Sequence, residues 1–293
     1  MNKLDKIILG TVQFGLNYGI NNSLGKPSKK EVSDILDSAY HKGIRILDTA
    51  EKYGNSHQII ADYHKESKNR FKIISKYKKG VLNLPEKLTE RVKKHLLDFN
   101  IKELEAYLFH DFNEFFELVK KDKSQIISIK KDKLVKKIGV SVHSNEQIEE
   151  VLEYPFITLI QLPFNILDND RKRKKILEKA KSKGIEIHTR SAFLQGLFFK
   201  EINQLPEYFK SLKPFLIDIK DICKEKEIKV SDLALNYPLS KTYIDKVLIG
   251  VDSKEQLLSN IRSLEIKTNN CFDIIDNFSV DDNSVLNPSN WLK

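Results

Sequence analysis

The chain has 293 residues, 40% of them hydrophobic, enough to bury a large core, and its two cysteines, Cys223 and Cys271, are too few and too far apart for a disulfide framework or a zinc motif. Its formal charge of +9 is mostly lysine, but the basic runs 171–175 and 130–133 adjoin helical patterns and carry no interleaved aromatics, so no nucleic-acid partner is expected. No apolar stretch is long enough to cross a bilayer and no basic start leads into one, so a cytoplasmic protein without a membrane partner is expected.

In chain order, strand-like runs lie at 7–14 (IILGTVQF), 44–50 (IRILDTA), 71–77 (FKIISKY), 105–110 (EAYLFH), 136–142 (KKIGVSV), 157–163 (ITLIQLP), 184–190 (GIEIHTR) and 246–250 (KVLIG). Amphipathic helical patterns separate them. The first of these opens with Ser28 as cap and Glu31 three residues on, and stops at Gly43; the helix before the seventh strand closes at Gly184. Strand and helix alternate at roughly 25 to 35 residues, which forces parallel pairing through helical crossovers and predicts one α/β domain over 1–293, a (β/α)8 TIM barrel. The interval between strands seven and eight is long enough for an extra helical segment, with helical pattern at 214–226 and 230–237, and a polar C-terminal tail follows Lys267. A doubly wound open sheet is disfavoured, because Gly10 and Gly15 do not make a GxGxxG turn after the first strand.

Barrel chemistry gathers at the carboxyl ends of the strands. There the chain places Asp48 and Tyr53 after the second strand, Lys76 on the third and His110 on the fourth. Singly, each has a structural reading as cap, core residue, solvated cation or satisfied histidine; jointly, at the carboxyl end of one barrel sector, chance is a poor account of them. No histidine or cysteine pair has metal-ligand spacing, so no metal is expected. His57, His143 and His188 lie near strand ends and are candidates for lining a substrate pocket. There is no GxSxG elbow and no phosphate-loop lysine motif.

LGTVQFG at 9–15, GIRILDTAEKYGNS at 43–56, IISK, LFH, KKIGVSV, IQLPFNILD, RSAFLQGLF and LIGVDSKEQLLSN resemble, in order, the motifs of the aldo-keto reductase family, and the resemblance covers essentially the whole chain. It implies hydride exchange between a nicotinamide cofactor and a carbonyl or alcohol in a small-molecule substrate. Tyr53 is then the general acid, Lys76 favours its phenolate, Asp48 holds Lys76, and His110 orients the carbonyl.

The same resemblance assigns the cofactor side. Ser141 and Gln161 would hold the nicotinamide carboxamide, with Val142 where the family often has asparagine. Gly10, Thr11 and Val12 would pass backbone beneath the ring. Arg190 stands where an aromatic residue commonly covers it, and could stack there or turn outward to an acid. Ser191, Leu194 and Gly196 would cradle the pyrophosphate, while Gly250, Asp252, Ser253, Gln256 and Asn260 would meet the adenosine end. Asp252 and Gln256 replace arginines that bind a 2′-phosphate in relatives. NADP(H) is the family default, NAD(H) is the alternative, and Lys254 could compensate for the missing arginines. The wording of LGTVQFG, YGNS and RSAFLQGLF is similar to a bacterial subgroup associated with surface-polysaccharide sugars, which implies a sugar or sugar-nucleotide carbonyl, with a small aldehyde as the plainer option. Trp291, in the tail 282–293, is expected either to close over the site or to pack on the barrel. A cofactor-binding sensor or regulatory subunit with little turnover is the competing function, and a monomer or weak homo-oligomer is expected.

Overall fold

Strands pair in sequence order and the eighth returns to the first, with Ile8 opposite Leu248 and Gly10 opposite Gly250, closing a parallel barrel. These observations come from a computed structural model that describes residues 2–81 and 83–291. The strands are β1 (Ile7–Gly10), β2 (Ile46–Asp48), β3 (Lys72–Tyr77), β4 (Ala106–Phe109), β5 (Ile138–Ser141), β6 (Leu159–Pro163), β7 (Glu186–Arg190) and β8 (Lys246–Gly250). The helices are α1 (Val12–Gly15), α2 (Lys29–Lys42), α3 (Ser56–Glu66), α4 (Leu88–Phe99), α5 (Phe112–Lys131), α6 (Asn145–Val151), α7 (Asp170–Ser182), α8 (Lys213–Glu225), α9 (Val230–Ser240), α10 (Lys254–Ser263) and α11 (Phe272–Asp276).

The largest departure from the apolar runs is at the first strand. β1 stops at Gly10: Thr11 N makes one last ladder bond to the Asp48 carbonyl of β2 at 3.0 Å, and the chain then winds into α1. The apolar residues of VQF belong to that helix. The α2 cap forms as read: Ser28 accepts from Glu31 N, the Glu31 carboxylate accepts from Ser28 N, and Gly43 ends the helix at φ +102°. Helix α7 ends at Ser182, with Gly184 in the left-handed region just beyond.

Successive strand residues face opposite sides of a sheet. Ile8, Ile74, Ala106, Leu108 and Leu159, with Ile46 and Leu248, fill the barrel interior as an apolar plug. The intervening residues, such as Leu9, Ile73 and Tyr107, pack outward against the helices in the larger core. Two positions further along each strand, the inward series turns polar: Ile46 gives way to Asp48, Ile74 to Lys76, Leu108 to His110 and Leu159 to Gln161. The plug is therefore the floor of a polar mouth.

Between β7 and β8 the chain adds three 3-10 segments (Leu194–Phe199, Ile202–Gln204 and Glu207–Leu212) and helix α8 before α9 completes the crossover. The tail docks on this insertion. Trp291 packs edge-on against Phe209 with ring centroids 5.0 Å apart, and its Nε1 donates to the Val285 carbonyl at 2.8 Å. The tail's last two residues lie outside the described ones. No helix among the described residues is long and apolar enough to cross a membrane.

Removing the Trp291 side chain empties a buried aromatic site, which typically costs about 3 kcal/mol. Trp291→Ala should lower the denaturant midpoint accordingly; unchanged unfolding would show that the tail does not contribute to the fold.

Candidate active site

Asp48 ends β2 and Lys76 lies on the neighbouring β3, and both face into the mouth. Lys76 Nζ donates to Asp48 Oδ1 and, at 3.2 Å, to the Thr49 carbonyl. From across the barrel, Gln161 Nε2 on β6 donates to Asp48 Oδ2 at 2.8 Å. All three side chains are buried. Burial pulls the Lys76 ammonium below its ordinary range against the attraction of Asp48, and two such charges are tolerated out of water only as a hydrogen-bonded pair.

Tyr53 hangs over this pair on the loop between β2 and α3. Its ring centroid lies 5.2 Å from Lys76 Nζ, and the ring meets His110 edge-on at 5.6 Å and 87°. Burial, then the negative charge of Asp48, pushes the phenol above its ordinary value, with Arg190 opposing. In the resting phenol, desolvation prevails over the nearby ammonium. His110 is held far below its ordinary range by burial and then by Lys76, Lys52 and Arg190. It is a neutral imidazole, with one donor and one acceptor nitrogen.

The position of Tyr53 is fixed by contacts that no local window of sequence reveals. A side-chain carbon built on Gly15 would lie 1.8 Å from the Tyr53 carbonyl oxygen, so α1 touches the Tyr53 loop backbone to backbone and only glycine fits. Two residues before Tyr53, the buried Glu51 carboxylate accepts from Lys78 N at 2.8 Å, Arg91 Nη1 at 3.2 Å, His95 Nε2 at 2.8 Å and Tyr107 OH at 2.5 Å. Strands β3 and β4 and helix α4 thus converge on this loop.

On the other side of the mouth, Ser141 pairs in register with Gln161. The Gln161 donor is taken by Asp48, while its Oε1 is buried without a partner among the described residues. An orphaned acceptor beside a serine hydroxyl suits the amide N–H of a carboxamide, so the residues present fit a nicotinamide. Val142 faces outward into the core. The Thr11 hydroxyl donates to the Asp48 carbonyl at 3.0 Å and accepts from Ser56 at 2.8 Å, bracing the strand end. Above Gly10 and Gly250 lies Gln13, within 2.3 Å of where a Gly250 side-chain carbon would sit, and its Oε1 is a second buried acceptor without a partner. Val12 opens α1 beside it.

Arg190 lies on the inner face of β7, in line with His188, which pairs in register with Gln161. It makes no outward ion pair: its Nη2 donates to His143 Nε2 at 3.0 Å. Beyond it Ser191, Leu194, Gln195 and Gly196 all take positive φ, a run of left-handed turns. The close approach that Gly196 permits is to Asn21, whose Cβ lies 2.7 Å from a built side-chain carbon. The loop from β1 to α2 spans this region: Ile20 N donates to the Gln195 carbonyl at 3.1 Å, Gln195 Nε2 to Tyr18 OH at 2.8 Å, and Asn22 Nδ2 to Asp252 at 3.3 Å. At the β8 end, Ser253 caps α10 by accepting from Gln256 N, and the Gln256 side chain folds back on Asp252 at 2.8 and 3.4 Å. Burial raises the Asp252 carboxyl, with the Gln256 bond opposing. Asn260, one turn further along, keeps its amide without a hydrogen bond among the described residues.

Of the remaining histidines, His57 bonds Ser75 at 3.1 Å in the helix layer beside His95 and Phe99, and His188 bonds Glu186 at 2.7 Å below Gln161. Neither lines the mouth. His143 does line a cavity of about 370 Å³, with Asn145, Lys172, Ser284, Asn287 and Asn290. Among the described residues no cluster of His, Cys, Asp and Glu could hold a metal. Glu51, Gln13 and Tyr18 went unnoticed in the sequence, although each lies within or just after a recognised motif.

Two outcomes follow from these contacts. Glu51→Gln removes a buried charge from three side-chain donors and should cost about 3 kcal/mol of stability and slow turnover about tenfold; unaltered unfolding and turnover would show that the network does not hold the loop. The second concerns acid. Burial chiefly, then Arg190 and Arg173, hold His143 down at about 4, and burial chiefly depresses His57, His64 and His110. Below pH ~6.5 the unfolded chain binds protons that the folded chain refuses. Stability is therefore complete above that pH and falls as pH drops toward 4, so the denaturant midpoint at pH 5 should lie clearly below that at pH 7.5, with about 1–2 kcal/mol coming from His143 alone.

With the geometry in hand, the chain was compared with known proteins. The model of the Aldo/keto reductase family matches residues 6–277. The chain is 24% identical over 300 residues to the NADH-specific methylglyoxal reductase of Escherichia coli, covering 90% of each, and 23% identical over 261 residues to the uncharacterized oxidoreductase YqkF of Bacillus subtilis, covering 82% of this chain and 84% of that one. The solved aldo-keto reductase AKR11C1 from Bacillus halodurans, in its holo form, has the same fold, with a TM-score of 0.72 at 18% identity over 94% of this chain and 92% of that one. A closed parallel barrel, an acid, a phenol, an ammonium and an imidazole at one mouth, and a family match over most of the chain agree: this protein belongs to the aldo/keto reductase family.

Proposed function

We propose that the chain reduces the carbonyl of a sugar or sugar nucleotide with a nicotinamide dinucleotide, that Tyr53 delivers the proton, and that NADH is the preferred carrier. Family membership makes it an NAD(P)H-dependent oxidoreductase. The observation that carries the finer reading is the buried Tyr53 phenol, edge-on to a neutral His110 and 5.2 Å from the Lys76 ammonium.

When bound, the dinucleotide supplies hydride. Gln161 Oε1 and the Ser141 hydroxyl would hold its carboxamide, and the capped start of α10 would receive a phosphate. The chain's own residues manage the proton and the charge. A carbonyl oxygen seated between Tyr53 and His110 can accept hydrogen bonds from both. As negative charge grows on that oxygen, Tyr53 OH becomes the nearest proton source. The phenolate left behind gains from Lys76, whose ammonium can then share its attraction between Asp48 and the new anion.

Support for NADH comes from Asp252. Its carboxylate is held at the β8 end by Asn22 and Gln256. An acid there repels a 2′-phosphate and can accept from ribose hydroxyls. The related Escherichia coli reductase is named NADH-specific.

Tyr53→Phe should cut turnover of keto-sugars and simple aldehydes by at least about a thousandfold while leaving the NADH dissociation constant within about threefold. The wild type should bind NADH at least about tenfold more tightly than NADPH. Turnover of the phenylalanine variant near the wild-type rate would overturn the role of Tyr53, and tighter NADPH binding would overturn the cofactor assignment.

A further inference from the structure

The charges at the barrel mouth do not balance. Lys76 is paired with Asp48, and Lys78 is paired with Glu114 at 2.5 Å and Asp111 at 3.9 Å. Arg190 and Lys52 have no carboxylate within ion-pair distance among the described residues. Arg190 stands on the inner face of β7, partly buried, and Lys52 is an exposed neighbour of Tyr53 on the loop after β2, on the side of Asp111 and Glu114.

A half-buried guanidinium normally finds an acid. Arg190 finds instead the imidazole of His143, which accepts from Nη2 at 3.0 Å. That bond uses one of five donors in a planar fork whose shape matches carboxylate and phosphate oxygens. The nearby acid Asp168 is already engaged, since both its oxygens accept from Arg173, at 2.7 and 2.9 Å. His143 in turn opens on the cavity of about 370 Å³, where Asn145, Ser284, Asn287 and Asn290 offer neutral hydrogen-bonding groups suited to hydroxyls beside the charged Glu146, Asp168, Lys172 and Arg173.

We propose that the substrate bears an anionic group, a carboxylate or a phosphate, close to its reacting carbonyl, and that Arg190 with Lys52 receives that group while the rest of the molecule extends past His143 into the polar cavity. This rests on the reading of the site as a carbonyl reductase. It makes the unpaired cations a selectivity filter. A neutral aldehyde of the same skeleton leaves the partly buried Arg190 without a counter-ion, whereas an anionic one satisfies it.

The test uses three aldehydes of one skeleton: glyceraldehyde, tartronate semialdehyde with a carboxylate, and glyceraldehyde 3-phosphate. With NADH and the full chain at low salt, kcat/KM for one of the charged pair should exceed that for glyceraldehyde by about tenfold or more, the size of a charge-assisted contact. Whichever anion wins identifies the source. Arg190→Gln should lower the charged-to-neutral ratio about tenfold and Lys52→Gln about threefold. Calorimetric binding of inorganic phosphate and of malonate to the protein should weaken in Arg190→Gln by a similar factor.

A ratio near one in the wild type, or one that survives both substitutions, overturns the proposal while leaving the reductase reading intact. An Arg190→Gln variant whose NADH affinity falls by the same factor as its anion affinity also overturns it, because the arginine then serves the cofactor. If no aldehyde is reduced yet phosphate or malonate binds through Arg190, the reductase reading fails and the anion site stands.

Discussion

The Asp48 carboxylate is the point on which the mouth of this barrel depends. One oxygen takes the Lys76 ammonium from the adjacent strand and the other takes the Gln161 amide from the far side. A buried carboxylate with a single donor would be costly, and a buried ammonium without an acid more so. The pair and the amide are therefore stable only together, and they tie β2, β3 and β6 across the opening. The same bonds set what remains available. With its N–H₂ turned to Asp48, Gln161 presents an acceptor, and Lys76 is fixed beneath the Tyr53 ring. One acid thus orders both the far side and the near side of the mouth.

Around this centre the fold uses different materials for different tasks. Apolar residues below the mouth exclude water from under the ion pair, which strengthens every electrostatic effect above it. Tyr53 sits on a loop, where a side chain can reach over the strand ends, but the loop is held from two sides: by the backbone of Gly15 and by the four bonds to Glu51. The adenosine side is built more loosely, from caps and side-chain amides on a long loop, where Asp252 rather than an arginine sets the sign of the charge.

The order of strands and the positions of Asp48, Tyr53, Lys76 and His110 were legible because both follow from local pattern: an apolar period of two, then a polar residue at the strand's carboxyl end. The first strand was overread at Val12 to Phe14 because an apolar triplet looks the same whether it continues a strand or opens a helix. The Glu51 network could not be read, since its partners Arg91, His95 and Tyr107 lie 40 to 56 residues away. Arg190 likewise looked like either a stacking group or a surface cation, and only the register of β7 against β6 turns it inward.

Trp291 is the sole tryptophan of the chain, and it is fastened to Phe209 and the Val285 carbonyl rather than to the barrel mouth. Its tail also supplies Ser284, Asn287 and Asn290 to the cavity beside His143. The intrinsic indole emission of this protein is consequently a built-in optical probe of one joint, the seating of the C-terminal tail on the β7–β8 insertion. A red shift would signal that joint opening while the barrel's far-ultraviolet dichroism stays constant, so the seating of the tail can be followed without attaching a label.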